Sequence, residues 1–279
     1  MRVTSKSVSK SVLPTLMRVE TGKKFLEGNE APTIREIGEK LKARVRQFVN
    51  MDWDPKLYDV TAAYIIATFY YDLFSVFPRM FLFGPYGSGK TRLGLVIGYA
   101  SYHGLPIIDP SDASSYRLVE AVGPTLYIDE SVLTPRIIKI VAAGYKRGLG
   151  VPRVEKAGRN EAFIIKLFSN FAPVCMGYTE LPPEIILQRC ILIVMKKAPD
   201  PNPERRDPEP GDFEDVREEL YLARLTGVGE VIEAMRKVRE ELGEEAPFRE
   251  FELWYPLLTI AYLMGEEAYK NVKKAFPRT

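Results

Sequence analysis

Eight consecutive residues have the types and spacing of a phosphate-binding loop, G-x-x-x-x-G-K-T. They are Gly84, Pro85, Tyr86, Gly87, Ser88, Gly89, Lys90 and Thr91. An apolar run at 80–83 precedes the loop and a helix-compatible run at 92–97 follows it. In such a unit, glycines let backbone N–H groups converge on phosphate oxygens, and the start of the helix adds positive potential. We expect Lys90 to reach the β- and γ-phosphates of a nucleotide, and the Thr91 hydroxyl to ligate Mg²⁺.

A second segment with candidate chemistry is the apolar run at 125–128, which ends in Asp129 and Glu130. We expect this strand to lie beside the strand that precedes the phosphate-binding loop. Asp129 could then hold the hydration shell of Mg²⁺, and Glu130 could polarise a water for attack on the γ-phosphate. A separate acid after the metal ligand favours hydrolysis over nucleotide binding alone.

A β-hairpin is predicted from two strand-like runs, 151–156 and 162–168, on either side of the turn-forming residues 157–160. Arg153, Lys156 and Arg159 would lie on or near its tip. Basic side chains on a projecting hairpin suit the phosphate backbone of a nucleic acid. The alternative is a solvated hairpin whose charges only keep its edge from pairing.

Two polar residues later in the chain are further candidates for catalysis. Thr179 follows an apolar strand and could bond the attacking water or the γ-phosphate. Arg189 opens the last core strand and could stabilise transition-state charge, on a neighbouring subunit's nucleotide. The alternative for Arg189 is a surface arginine in a weak salt bridge.

The elements that must position these residues alternate along the chain, which predicts an α/β fold with a parallel sheet covered on both faces by helices. Ligands of such sheets bind at the carboxyl ends of the strands, where both the acidic motif and the Gly-rich motif lie.

Residues 1–30 are expected to be loosely ordered, and residues 57–77 are expected to form one long buried helix. The predicted strands lie near 80–83, 106–109, 125–129, 173–178 and 190–195, and the predicted core helices near 90–102, 112–121, 135–146 and 183–188. The predicted divisions are a basic, helical extension (1–56), a P-loop core (57–198) with the hairpin inserted at about 150–168, a proline-rich linker (199–211) and a C-terminal helical domain (212–279).

Composition limits the classes of partner. The chain has 279 residues and a net charge of +2, so any surface that binds nucleic acid must be locally basic. The most apolar stretch, 60–71, is too short to span a bilayer, and no signal peptide is visible at the N-terminus. Cys175 and Cys190 lie in apolar runs typical of reduced core thiols. These features predict a cytoplasmic protein without a membrane partner.

The order of these pieces resembles that of the AAA+ ATPases, and between about Tyr58 and Met195 it is most similar to superfamily 3 helicases and related ATPases of viruses, phages and plasmids. The resemblance implies a three-layer P-loop NTPase core with N-terminal helices and a C-terminal helical lid. It implies ATP as the nucleotide, DNA as a partner, a ring of subunits (a hexamer), and a replication or packaging partner protein.

The resemblance also implies roles for single residues. Thr179 takes the sensor-1 position, where the family usually has asparagine, and Asn170 is the alternative for that position. Arg189 takes the arginine-finger position. Lys156 and Arg159 would face a central channel, and Arg249 is the candidate for sensor 2.

The function predicted from these observations is Mg²⁺-dependent ATP hydrolysis by a motor that acts on nucleic acid, as a helicase or translocase. The alternatives are an ATPase that remodels a protein or loads a helicase, and a nucleotide-switched binding protein with little turnover. A small-molecule kinase is a third, minor alternative, which the hairpin insertion disfavours.

Overall fold

The structure is a computed structural model that describes residues 15–108, 112–129, 138, 141–142, 144–156, 163–169, 171–198, 204–242 and 248–276. Within these residues the chain alternates between helices and short strands, as predicted. The helices are α1 (Val19–Leu26), α2 (Ile34–Phe48), α3 (Lys56–Thr68), α4 (Lys90–Ala100), α5 (Asp112–Val122), α6 (Glu184–Leu187), α7 (Glu214–Thr226), α8 (Val228–Leu242), α9 (Phe248–Met264) and α10 (Glu266–Ala275). The strands are β1 (Arg79–Phe83), β2 (Leu105–Ile108), β3 (Leu126–Asp129), β4 (Gly150–Lys156), β5 (Phe163–Ser169), β6 (Val174–Tyr178) and β7 (Cys190–Val194).

Five of these strands form a parallel sheet in the order β2-β3-β6-β1-β7, while β4 and β5 form a separate antiparallel pair. The predicted strands therefore all exist, each within a residue or two of its expected bounds. The lateral order differs from the prediction in one respect. The strand that ends in Asp129 does not neighbour β1, because β6 lies between them and pairs with both. A hydrophobic pattern defines a strand but not its neighbours, since pairing depends on contacts far apart in sequence.

The two faces of the sheet are covered by different helices, which gives the predicted three-layer α/β fold. Alternate strand residues point to opposite faces. Met80 and Leu82 of β1 belong to a core shared with α2, α3, α4 and α7–α10, while Phe81 belongs to a second core on the other face. That second core includes Val119 of α5 and Ile186 of α6. The helices before and after the sheet thus pack together on one of its faces.

Residues 15–30 are more ordered than predicted, because they contain helix α1. Its Thr21 hydroxyl donates to the carboxylate of Glu218 on α7, and Arg18, before the helix, pairs with Glu214 of α7. Charged side chains on α7 therefore hold a segment whose own composition is typical of a loose terminus. Residues 1–14 lie outside the described part of the chain.

Helix α3 is shorter than predicted. It ends at Thr68 and is followed by a 3₁₀ turn at Tyr71–Leu73, although the chain stays apolar to Phe77. Arg224 of α7 donates to both carboxylate oxygens of Asp72, at 2.9 and 2.7 Å, and holds this turn against α7. A tertiary ion pair therefore accompanies the end of the helix.

No helix in the described residues is long and apolar enough to cross a membrane.

The second half of the proline-rich segment docks on the helix that follows the phosphate-binding loop. Arg92 of α4 donates to the Glu204 carbonyl at 2.9 Å, and its Nε lies 3.1 Å from a carboxylate oxygen of Asp207. The Glu204 amide donates to the carbonyl of Gln47 at 2.9 Å. Residues 204–207 are thus tied to α4 and α2 on their way to the C-terminal helices.

Candidate nucleotide-binding site

The loop at 84–89 connects the carboxyl end of β1 to the first residue of α4, Lys90. Two of its glycines are required by backbone geometry, because Gly87 and Gly89 have φ of 74° and 85°, a region that other residues rarely adopt. Gly84 is required by space. A Cβ there would lie 2.4 Å from the carbonyl oxygen of Met195. The sequence-predicted strand–loop–helix unit is therefore present.

The Lys90 side chain lies inside the loop and is only 5% exposed. Its Nζ donates to the carbonyls of Gly84 at 2.7 Å and Pro85 at 2.9 Å. Ser88 Oγ is also buried and has no hydrogen-bond partner among the described residues. A buried ammonium and a buried hydroxyl at the N-terminus of a helix suit the oxygens of a phosphate chain.

Thr91 and Asp129 come together from different elements. Thr91 is the second residue of α4, and its Oγ1 donates to Asp129 Oδ1, at the end of β3, over 3.4 Å. Hydroxyl and carboxylate oxygens are the donors that Mg²⁺ prefers, and Mg²⁺ is usually held by one or two protein oxygens together with water and substrate phosphates. The described residues hold no group of three or more His, Cys, Asp and Glu side chains that could form an all-protein metal site. This pair therefore fits Mg²⁺ bound beside a phosphate chain.

Strand β6, which separates β1 from β3, crosses the site at a glycine. Gly177 pairs with Asp129 in the sheet. A Cβ at Gly177 would lie 3.5 Å from Asp129 Oδ1 and 3.8 Å from Cβ of Lys90. The intervening strand therefore leaves the space between the lysine and the carboxylate free of side-chain atoms.

Tyr127 is a site residue that sequence reasoning missed. Its hydroxyl donates to Asp129 Oδ1 at 2.6 Å. Burial is the main cause that raises the pKa of Tyr127 above its ordinary range, followed by its hydrogen bond to Asp129, so the hydroxyl keeps its proton. One signal was available, because residues two apart on a strand share a face and Tyr127 is the polar residue that shares the face of Asp129.

Thr179 lies at the same edge of the sheet as the loop. It is half-buried and directly follows Tyr178, the last residue of β6, whose carbonyl accepts from the Gly84 amide at 3.3 Å. The loop, Asp129 and Thr179 thus meet at the carboxyl ends of three neighbouring strands. The other two predicted participants, Glu130 and Asn170, lie outside the described residues.

Arg189 lies at the opposite end of the sheet. Its carbonyl accepts from the amide of Arg79, the first residue of β1, at 2.9 Å, whereas the phosphate-binding loop follows the last residue of that strand. Its guanidinium donates to the Ile185 carbonyl and lies 4.9 Å from the ring centre of Tyr145. Within one chain, Arg189 therefore does not meet the loop.

Arg249 lies near Arg189 and not near the loop. It lines a cavity of about 320 Å³ together with Gln188, Cys190 and Trp254. Because Cys190 begins β7, which runs parallel to β1, this cavity is at the end of the sheet where the strands start. Neither arginine is brought to Lys90 by the fold of a single chain.

The hairpin exists, with Arg153 opposite Lys166 and Lys156 opposite Phe163. Lys156 is the last described residue before the turn, and Arg159 lies outside the described residues. The hairpin also carries exposed apolar side chains, which the pattern of its sequence did not predict. Val154, Ile165 and Leu167 are 63%, 77% and 64% exposed.

Comparisons with known proteins give structural similarity only. No protein-family model matches the chain, and no curated protein does at a significant level. A structure described as "SCCmec type IV Cch - active helicase" matches with a TM-score of 0.47 and 10% identity, over 98% of this chain and 53% of that one. The C-terminal region of NrS-1 matches with a TM-score of 0.40 and 13% identity, over 88% of this chain and 70% of that one. A structure of JCV helicase matches with a TM-score of 0.31 and 12% identity, over 92% of this chain and 77% of that one.

This chain spans about half the length of the first of these structures, 53%. With TM-scores of 0.47, 0.40 and 0.31, these similarities do not define an activity, a substrate or an assembly. The fold is defined by the chain's own geometry, a P-loop between β1 and α4 in a parallel sheet of order β2-β3-β6-β1-β7. The chain therefore has a three-layer α/β fold with a P-loop, the architecture of P-loop NTPases.

Proposed function

We propose that this protein is a Mg²⁺-dependent ATPase that acts as a motor on nucleic acid, of the helicase or translocase type. The observation that carries the proposal is the convergence of three residues at one edge of the sheet. Lys90 is buried within the loop, and Thr91 Oγ1 lies 3.4 Å from Asp129 Oδ1. A phosphate-binding cation beside a pair of Mg²⁺ ligands is the arrangement that phosphoryl transfer requires.

The chain's own residues would divide the catalytic work as follows. Lys90 and the loop amides hold the β- and γ-phosphates in place, which supplies positioning and charge stabilisation. Bound Mg²⁺, held through Thr91 and Asp129, would neutralise charge that develops on the phosphate oxygens. Glu130, next after Asp129, accepts a proton from the attacking water, and Thr179 orients that water.

The position of Arg189 supports a role between subunits. An arginine at the end of the sheet remote from its own loop can act only on a nucleotide held by another molecule. We therefore propose that Arg189 completes the site of a neighbouring subunit in a ring, where its guanidinium would stabilise transition-state charge.

Mixed assemblies test this role. Arg189→Ala is expected to lose most ATPase activity, and so is Lys90→Ala, whereas a mixture of the two variants should regain part of it. The reason is that some interfaces then combine an intact loop with an intact arginine. Steady-state hydrolysis of titrated mixtures is the measurement, and mixtures no more active than either variant alone would rule out action between subunits.

The nucleic-acid part of the proposal rests on the hairpin, where Arg153, Lys156 and Arg159 offer positive charge in a chain whose net charge is only +2. The test is ATP hydrolysis with and without single- and double-stranded DNA at low salt. A several-fold stimulation that falls steeply as salt is added is expected of a motor that contacts phosphates. Hydrolysis that DNA does not change would contradict the motor.

One observation favours a second candidate, an ATPase that remodels or loads another protein. The hairpin side chains Val154, Ile165 and Leu167 are largely exposed, and exposed apolar surface is typical of protein contacts. Robust hydrolysis without DNA stimulation would support this candidate.

A further inference from the structure

One oxygen of the Asp129 carboxylate is contacted by two hydroxyl groups. Tyr127 donates to Oδ1 at 2.6 Å, and Thr91 donates to the same oxygen at 3.4 Å. The Tyr127 side chain comes from the core, where the residue is only 1% exposed. The carboxylate is therefore held from the protein interior as well as from the loop side.

The Tyr127 ring lies in a slot formed by glycines of α4. A Cβ at Gly94 would lie 2.0 Å from Cε2 and Cζ of the ring and 2.5 Å from its hydroxyl oxygen. A Cβ at Gly98, one turn further along α4, would lie 2.9 Å from Cγ of Pro106 on β2 and 3.2 Å from Cβ of Tyr127. Glycine weakens a helix interior relative to alanine. Gly94 therefore marks a requirement for close approach of α4 to the Tyr127 ring, and Gly98 marks one for close approach of α4 to Pro106 and the Tyr127 Cβ.

A third glycine, Gly177 of β6, meets the other end of this contact. A Cβ there would lie 3.4 Å from the Tyr127 hydroxyl and 3.5 Å from Asp129 Oδ1. Gly94 thus leaves the space through which the phenol hydroxyl reaches one carboxylate oxygen, and Gly177 places no side chain beside that contact. A phenylalanine would fill the same slot, so packing alone does not account for the hydroxyl.

We propose that Tyr127 is a positioning residue, whose hydroxyl fixes the orientation of the Asp129 carboxylate toward a Mg²⁺–nucleotide. The inference rests on the proposed ATPase function and deepens it. Because Oδ1 accepts from both Tyr127 and Thr91, rotation of the carboxylate about its Cβ–Cγ bond is restrained. Such preorganisation of a metal ligand by a hydrogen-bonded neighbour increases metal affinity.

Tyr127→Phe tests the inference, because it keeps the ring in its slot and removes only the hydroxyl. The variant is expected to require about tenfold more Mg²⁺ than the wild type for half-maximal binding of a non-hydrolysable ATP analogue. Binding would be followed by calorimetry during a Mg²⁺ titration, and Mn²⁺ affinity by electron paramagnetic resonance would give a second readout. At saturating Mg²⁺, ATP turnover should approach that of the wild type.

Tyr64→Phe is the matched control. Tyr64 is fully buried, and its hydroxyl donates to the Val174 carbonyl at 3.0 Å, at the opposite end of β6 from the site. This variant should lose thermal stability to a similar degree but keep the wild-type Mg²⁺ dependence. An equal shift of Mg²⁺ dependence in both variants, or none in a folded Tyr127→Phe, would overturn the inference. A wild-type chain that binds no nucleotide at any Mg²⁺ concentration would instead overturn the proposed function itself.

Discussion

Lys90→Ala is expected to reduce ATP hydrolysis by about two to three orders of magnitude, the loss typical of removing one preorganised charge-stabilising donor. Lys90 is 5% exposed, and its ammonium donates to the Gly84 and Pro85 carbonyls, so its geometry is set before a nucleotide arrives. Lys90 is the first residue of α4, so its charge lies at the N-terminal end of that helix. Steady-state hydrolysis and binding of a fluorescent ATP analogue would measure the loss.

Lys270→Ala is the control for Lys90→Ala. Lys270 lies on α10 in an exposed pair with Glu266, whose contribution to stability is small, and the variant should hydrolyse ATP like the wild type. A folded Lys90→Ala protein with near-normal turnover would show that the loop is not where hydrolysis occurs.

Glu130→Gln is expected to bind ATP normally and to hydrolyse it about 100-fold or more slowly, since general-base catalysis contributes 10²–10⁴-fold. Glu130 follows Asp129, whose Oδ1 the structure brings within 3.4 Å of Thr91 Oγ1. Glutamine keeps the size of the side chain but cannot accept the proton from water. Single-turnover hydrolysis together with nucleotide binding at saturating Mg²⁺ separates the two effects.

Asp129→Asn gives the contrasting result that makes the test of Glu130 specific. Because Asp129 is placed to hold Mg²⁺, its loss should raise the Mg²⁺ concentration needed for tight nucleotide binding. If Glu130→Gln turned over at the wild-type rate, Glu130 would have no role as the base. If both variants changed Mg²⁺ dependence alike, the separate roles of the two acids would be wrong.

Local sequence was sufficient for the parts of the molecule whose interactions are local. The loop at 84–91 is contiguous, and the positive φ of Gly87 and Gly89 and the bonds of Lys90 to the Gly84 and Pro85 carbonyls all lie within it. The start of α2 is local too. Thr33 and Glu36, three residues apart, form a capping box there, with bonds of 3.2 and 2.8 Å. Strand positions followed from apolar runs because each run must be buried wherever it lies in the sheet.

Residue pairs far apart in sequence decided the rest. Helix α1 forms where the composition predicted a loose terminus. It is held by two carboxylates of α7, since Glu214 binds Arg18 and Glu218 binds Thr21, across sequence separations of 196 and 197 residues. The exposure of Val154, Ile165 and Leu167 depends on what packs against the hairpin, which the alternation of its strands does not reveal.

The candidate site shows the same division. The sequence determined that a lysine, a threonine and two acids of the right chemistry follow two strands. Only the tertiary structure decided that β6 lies between those strands, that Gly177 keeps the gap open, and that Arg189 lies at the far end of the sheet. Only the tertiary structure joins Tyr127 to Asp129 through the slot beside Gly94. The physical reason is that strand order and close approach are set by the packing of whole elements, and no local pattern of residues contains that information.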